Sequence, residues 1–215
     1  MIVNSRAVVL SRQNWGEADK LVSLYTEEFG KVRARCVGVN KPGRKMKALC
    51  EPFVWAEFRL HMGYRTDLAK IIGGQIVSSF PGVRANYERM LTAFSFCEML
   101  NQATSERMPN SSKYELIVSA LQALEKGTSP WLLPVYGLRL LELTGQGPAD
   151  GFAMDEALQT QLRETEMDVL GGLTHPPHLA DKLGSAVAER LEDYGGRKLR
   201  CPGALREWRT EALPC

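Results

Sequence analysis

Lys31-Val32-Arg33-Ala34-Arg35-Cys36-Val37-Gly38-Val39-Asn40-Lys41-Pro42-Gly43-Arg44-Lys45-Met46-Lys47 holds seven cations and no acid. Its first half alternates strictly, with Val32, Ala34 and Cys36 to one side and Lys31, Arg33 and Arg35 to the other. Side chains on a strand change faces with period two, so this half reads as a half-buried strand with a cationic outer face. Pro42-Gly43 marks a turn, flanked by Lys41, Arg44, Lys45 and Lys47. A positive strand running into a positive loop offers a track for a phosphate backbone, provided that the cations converge on one water-facing groove. A solvated strand face beside a basic loop is the competing interpretation, and these seventeen residues alone leave both open.

Working outward, residues Ser5 to Phe80 look strand-like. Ala7-Val8-Val9-Leu10 and Leu21 to Thr26 precede the basic strand, and Phe29-Gly30 turns into it. Val54, Ala56, Phe58 and Leu60 alternate with Trp55, Glu57 and Arg59, and Leu68 to Val77 follows with a Gly73-Gly74 pair that suggests a bulge. Five short strands at this spacing predict a small closed barrel, and the five-stranded oligonucleotide-binding (OB) barrel is the leading form. Strand count alone does not separate it from other small barrels. Trp55 falls on the outer side of its strand, where it would either stack on a base or pack beneath the helices that follow. Arg65, beside a turn, either extends the cationic track or is an ordinary surface charge.

After Pro81-Gly82 the period changes from two to three and four. Tyr87, Leu91, Phe94, Cys97 and Leu100 predict a helix ending near Met108-Pro109. A second, capped by Ser111 or Ser112, carries Ile117, Leu121 and Leu124 to Gly127. A third opens at Pro130 and closes at Gly145; Leu138 and Leu141 give it a second apolar face, so it is expected to be central. A polar helix from Asp155 to Leu170, a long one through Leu183 and Tyr194, and one or two turns over Ala204–Arg209 complete the prediction. The expected architecture is α+β, with an OB barrel over 1–80 and an all-α domain over 81–215.

Charge divides the same way. Residues 1–80 hold 13 Lys/Arg against 7 Asp/Glu, and residues 81–215 hold 14 against 18. A polyanion would therefore meet the front half. The five cysteines are odd in number and form no C-x-x-C pair, no apolar run is long enough to span a bilayer, and the N-terminus is not signal-like. A reducing cytoplasm is the expected compartment.

Catalytic and cofactor motifs are poorly met. Gly38 to Lys45 has the outer spacing of a phosphate-binding loop. Arg44 and Lys45, however, stand where Lys and Ser or Thr are required, and Pro52 interrupts any following helix. His175 and His178 lack metal-site spacing, Cys201 is isolated, and there is no G-x-S-x-G. No enzyme activity and no cofactor are expected.

Glu17 to Thr26 with Gly30-Lys31-Val32, the stretch through Gly38 and the basic loop, Leu49-Cys50-Glu51-Pro52-Phe53, and Thr66-Asp67-Leu68 to Phe80 together resemble the bacterial RecO family of recombination mediators. Leu138 to Gly145 with Pro148 is similar to that family's central helix, and Arg197 to Arg200 with Leu205-Arg206-Glu207 to its C-terminal segment. The likeness is weakest from about Ala149 to Asp193. It implies an OB domain and a helical domain, binding to single- and double-stranded DNA, strand annealing, and help in loading recombinase onto DNA coated by single-strand-binding protein. The implied partners are RecR and the acidic tail of single-strand-binding protein, and the implied place is the nucleoid. Many members have a four-cysteine zinc site after the Gly-Pro segment; Gln146 to Phe152 has no cysteine, so no zinc is expected. The family's Lys-Ser near the C-terminus is Arg200-Cys201 here.

On this reading Lys31, Arg33, Arg35, Lys41, Arg44, Lys45 and Lys47 neutralise phosphates, with Trp55 and Arg65 as further contacts. Arg139, projecting from the third helix, is the candidate for the acidic tail; the alternative for it is a salt bridge to Glu142 or Glu98. An OB-type RNA-binding or ribosome-associated protein would share the barrel and the charge. A protein scaffold gripping an acidic partner is a third class.

Overall fold

The computed structural model describes residues 1–39, 46–63, 68–147, 152, 154–173 and 175–212, with side chains of the last helix through Arg209. The chain divides into two compact units, one of Met1–Phe80 with Thr104–Val118, the other of Pro81–Ala103 with Ser119–Cys215.

In the first unit, β1 (Ile2–Trp15), β2 (Asp19–Thr26), β3 (Gly30–Cys36), β4 (Trp55–His61) and β5 (Ala69–Ser78) close in the order β1-β2-β3-β5-β4. All neighbours are antiparallel except β3 and β5. Closure pairs every strand on both sides, apart from the first half of β3, and puts alternate residues inside, where Val22, Leu24, Val32, Ala34, Ala56, Phe58 and Leu60 are fully buried. This is the OB-type barrel that the alternation predicted. A four-residue helix, α1 (Met46–Leu49), lies between β3 and β4, too short for a phosphate-loop helix.

β1 is longer than its apolar run. Beyond a register shift between Val9 and Ser11 it continues as an exposed hairpin with β2, pairing Trp15 with Asp19 around Gly16 in the left-handed region. In β5 the extra residues opposite β4 are Ile72 and Val77, so the bulge sits beside Gly73 rather than on the glycine pair.

β3 pairs with β5 only through Ala34–Cys36. Its first half is covered instead by residues 104–109. Glu106 bridges in parallel to Lys31, and the Arg107 amide donates to the Lys31 carbonyl at 2.9 Å. Gly30 permits this approach, because a Cβ there would lie 2.2 Å from the Met108 carbonyl oxygen. The helix expected to run on towards Met108 therefore stops early, and its last residues become an edge cover for the barrel. Asn110, not Ser111 or Ser112, caps the next helix by accepting from the Lys113 amide at 2.9 Å.

The second unit is helical: α2 (Pro81–Arg84), α3 (Tyr87–Gln102), the end of α4 (Ser111–Lys126), α5 (Leu132–Leu143), α6 (Glu156–Glu164), α7 (Pro177–Gly195) and α8 (Cys201–Ala212). α5 is central as its two apolar faces predicted, with Val135, Tyr136, Leu138, Leu140 and Leu141 buried. Gly145, left-handed, ends it. The Gln146 amide donates to the Leu141 carbonyl at 2.9 Å and the Gly145 amide to Glu142 at 3.0 Å, a Schellman closure. α6 is shorter than the polar stretch that suggested it, stopping where Thr165 becomes extended. α8 is longer, because the Glu98 carboxylate accepts from the Arg200 and Cys201 amides at its start.

Gly137 lets α5 and α7 touch: a Cβ there would stand 2.3 Å from Cγ1 of the buried Val187. A β-branched side chain in a helix has little rotamer freedom to yield. Gly137→Ala should therefore destabilise by about 1–2 kcal/mol, the overpacking cost less the helix-propensity gain. Urea midpoints would check this, and adding Val187→Ala should recover part of the loss.

Candidate nucleic-acid interface

The inward face of β3 is dry, so Lys31, Arg33 and Arg35 must point away from the core. Arg33 and Arg35 are exposed and Lys31 half-buried. The two arginines each meet a carboxylate. Arg33 Nε lies 2.6 Å from Glu106 Oε1, with side-chain exposures of 52% and 35%. Arg35 donates through Nε and Nη2 to Asp19 Oδ2 at 2.7 and 2.6 Å, and the same carboxylate accepts the Gly38 amide at 2.7 Å. An ion pair as exposed as Arg33–Glu106 contributes about 0–1 kcal/mol, so a phosphate oxygen competes with Glu106 at little cost. Asp19 is the more firmly held, since it is buried and also fixes the backbone after β3.

Lys47 is exposed on α1. Lys41, Arg44, Lys45 and Arg65 lie outside the described residues. Trp55 is half-buried, and its Nε1 donates to the Tyr114 hydroxyl at 2.9 Å. Its indole is thus packed against the segment that accompanies the barrel. Arg139 is half-buried in the helical unit and donates to the Leu162 carbonyl at 2.8 Å and to the Thr165 carbonyl, holding the end of α6. Neither suggested acid is its partner: Glu142 pairs with Arg163 and Glu98 caps α8. Burial pulls the Arg139 guanidinium down from its usual value, with Glu142 opposing. It lines a cavity of about 310 Å³ together with Lys126, Met167 and two acids, Glu166 and Asp168, the second of which pairs with Lys126 at 2.8 Å.

Two residues, Lys70 and Trp15, went unremarked in the sequence. Lys70 stands opposite Arg35 in the β3–β5 pair and opposite His61 in the β4–β5 pair, and all three are exposed. Trp15 is 45% exposed at the tip of the β1–β2 hairpin, directly across from Asp19. An aromatic next to a glycine turn was a signal for Trp15. No local signal pairs Lys70 with Arg35, because a parallel pair joins distant segments.

A closed five-stranded barrel with an attached helical unit defines the class as an OB-fold protein of two parts. Residues 1–80 match the family model described as Recombination protein O N terminal, and residues 84–149 match Recombination protein O C terminal. The chain belongs to the RecO family. Similar relatives, each named DNA repair protein RecO, include that of Exiguobacterium sp., 32% identical over 69% of this chain and 59% of the relative. Those of Pelotomaculum thermopropionicum and Bacillus subtilis are 29% and 28% identical, over 84% and 69% of this chain and 65% and 58% of the relatives. The chain thus spans less than two thirds of the length of these curated relatives. Among the described residues no helix is long and apolar enough to cross a membrane, and no three His, Cys, Asp or Glu side chains gather as metal ligands would.

Tyr25 lies opposite Lys31 on β2 and is fully buried. Burial pushes its phenol up from 10.0 to about 12. A raised folded-state value means that the folded form holds its proton more tightly. The resulting stability is complete below pH 10 and is lost as pH rises through about 12. Tyr25→Phe should lose less stability than wild type across that interval in urea titrations. Equal losses would assign the alkaline sensitivity to other groups such as Tyr114, also raised by burial.

Proposed function

We propose that the chain acts in DNA repair and recombination as a mediator. It binds single- and double-stranded DNA, anneals complementary strands, and helps load recombinase onto DNA coated by single-strand-binding protein. The observation that carries this reading is the match of both RecO halves, in order, to a chain whose barrel exposes Arg33 and Arg35. RecR and the acidic tail of single-strand-binding protein are the proposed partners.

Lys31, Arg33, Arg35, Lys47 and the cations of the intervening loop neutralise phosphates without reading bases, with Trp55 and Arg65 as further proposed contacts. Annealing follows from the same electrostatics, since a positive surface that holds two strands loosely raises their mutual concentration and screens their repulsion. No covalent step is required of the protein. The half-buried Arg139, with Lys126 at the same cavity, is the proposed seat of the acidic tail. Backbone carbonyls rather than a carboxylate accept from Arg139, and the tail would have to replace Asp168 on Lys126 and tolerate Glu166 in the same lining.

With about five phosphates engaged, the log–log salt slope for a single strand should be near −3.5, roughly a hundredfold loss of affinity between 50 and 200 mM. Changing Lys41, Arg44, Lys45 and Lys47 together to Ala should flatten it; an unchanged slope removes the loop from the interface. Competition between DNA and RNA of equal length tests the choice of nucleic acid. Arg139→Ala should weaken binding of a labelled acidic C-terminal peptide, and equal affinities would exclude that residue.

A further inference from the structure

The cations of β3 do not share one environment. Lys31 and Arg33 lie on the half of the strand covered by residues 104–109, with Glu106 on Arg33. Arg35 lies on the half that opens onto β5. From Arg35 the register leads straight to Lys70, and from Lys70 to His61, three basic side chains on one outward row across three strands. Arg59 follows two residues before His61 on the same face of β4, opposite Gly73, which adds no side chain to cover it. The acids that face this row are Asp19, on Arg35, and Glu57, two residues from Arg59 and paired across the sheet with Arg6. Among the described residues, no carboxylate forms an ion pair with Lys70, His61 or Arg59.

Cross-strand neighbours with like charge destabilise a sheet. Arg35 beside Lys70 is therefore an arrangement that folding alone does not favour and that a polyanion would stabilise, and His61 adds a hydrogen-bonding ring next to it. An aromatic stands at the end of it. Trp15 is on the same face as Asp19, its cross-strand partner, and Asp19 holds Arg35. An exposed indole beside a row of cations combines the two elements of sequence-tolerant single-strand binding, a stacking surface and a backbone track.

We propose that single-stranded DNA leaves β3 at Arg35 and crosses the barrel over Lys70, His61 and Arg59, with a base stacked on Trp15 at the hairpin tip. This rests on the DNA-binding function proposed above and specifies its path. Beyond Arg35 the strand turns across the sheet, because β3 ends at Cys36 while Lys70, the cross-strand partner of Arg35, continues the cationic row on β5.

The test is a titration of the full chain with a fluorescein-labelled oligo-dT of about 15 nucleotides, within the span that one OB barrel covers. Lys70→Ala should reduce the magnitude of the salt slope by about 0.7, one phosphate contact, and Lys70→Arg should restore it. Trp15→Ala should weaken binding by about 5- to 100-fold, the range of a lost stacking contact. Tryptophan fluorescence of the wild type should be quenched by the oligonucleotide, and Trp15→Phe should lose most of that quenching. Both residues are exposed, so neither Ala variant should melt below the wild type, and Lys70→Ala should melt at or slightly above it because it removes the repulsion with Arg35. Should the wild type bind with a steep salt slope while Lys70→Ala and Trp15→Ala match it, the path is overturned and the DNA-binding reading stands. A wild type that does not retain oligo-dT at low salt overturns both.

Discussion

The outward display of charge on this barrel depends on the packing of β3's other face. Val32, Ala34 and Cys36 are completely buried between β2 and β5, in a closed interior with no room for a cation. Alternation leaves Lys31, Arg33 and Arg35 a single direction. A slip of one residue would exchange the two sets and place three cations in the core, an error of many kcal/mol. The hydrophobic interior thus fixes the position of the surface electrostatics, and Asp19 adds a local lock by tying Arg35 and the Gly38 amide together.

The barrel itself was legible because β3 and β4 alternate strictly, β1 and β2 carry short apolar runs, and turn residues separate the strands. The limits of elements were less legible. Ser11 to Asn14 is polar and exposed, so no apolar run marked it as the continuation of β1. Thr104 to Asn110 has neither helical nor strand periodicity. Its conformation is set by the unpaired half of β3, which lies about seventy residues earlier. The carboxylates that meet Arg33 and Arg35 were invisible for the same reason: Glu106 and Asp19 come close only after the barrel has closed. Trp55 shows the limit of a face assignment. It is on the outer side as alternation requires, but an outer position does not say whether water or another segment covers it.

The helical unit uses charge differently. Glu98 and Glu125 each turn a carboxylate to a pair of backbone amides, at the starts of α8 and α2. Arg139 turns its guanidinium to the carbonyls at the end of α6. Each places an ionised group where the helix macrodipole has opposite sign. These contacts join positions that are far apart in sequence, so the choice between Glu142 and Glu98 as partners of Arg139 could not be made from spacing. Their effect is to extend α8 and to shorten α6 relative to what apolar periodicity suggests.

In the barrel unit, by contrast, much of the positive charge remains on solvent-facing side chains, and Glu106 meets Arg33 in an exposed pair of small net value, whereas the buried Asp19 holds Arg35 more firmly. An exposed carboxylate on an arginine acts as a replaceable counter-ion: it lowers the self-repulsion of the folded surface while leaving the site open to a stronger anion. A polyelectrolyte is such an anion, because each phosphate it contributes also releases condensed counterions, an entropy gain that a fixed carboxylate cannot provide. Lys70, set between Arg35 and His61, lacks even that compensation among the described ion pairs. The free-energy difference between a carboxylate and a phosphate on the same arginine is therefore governed by salt, and so is the fraction of the surface that DNA can occupy.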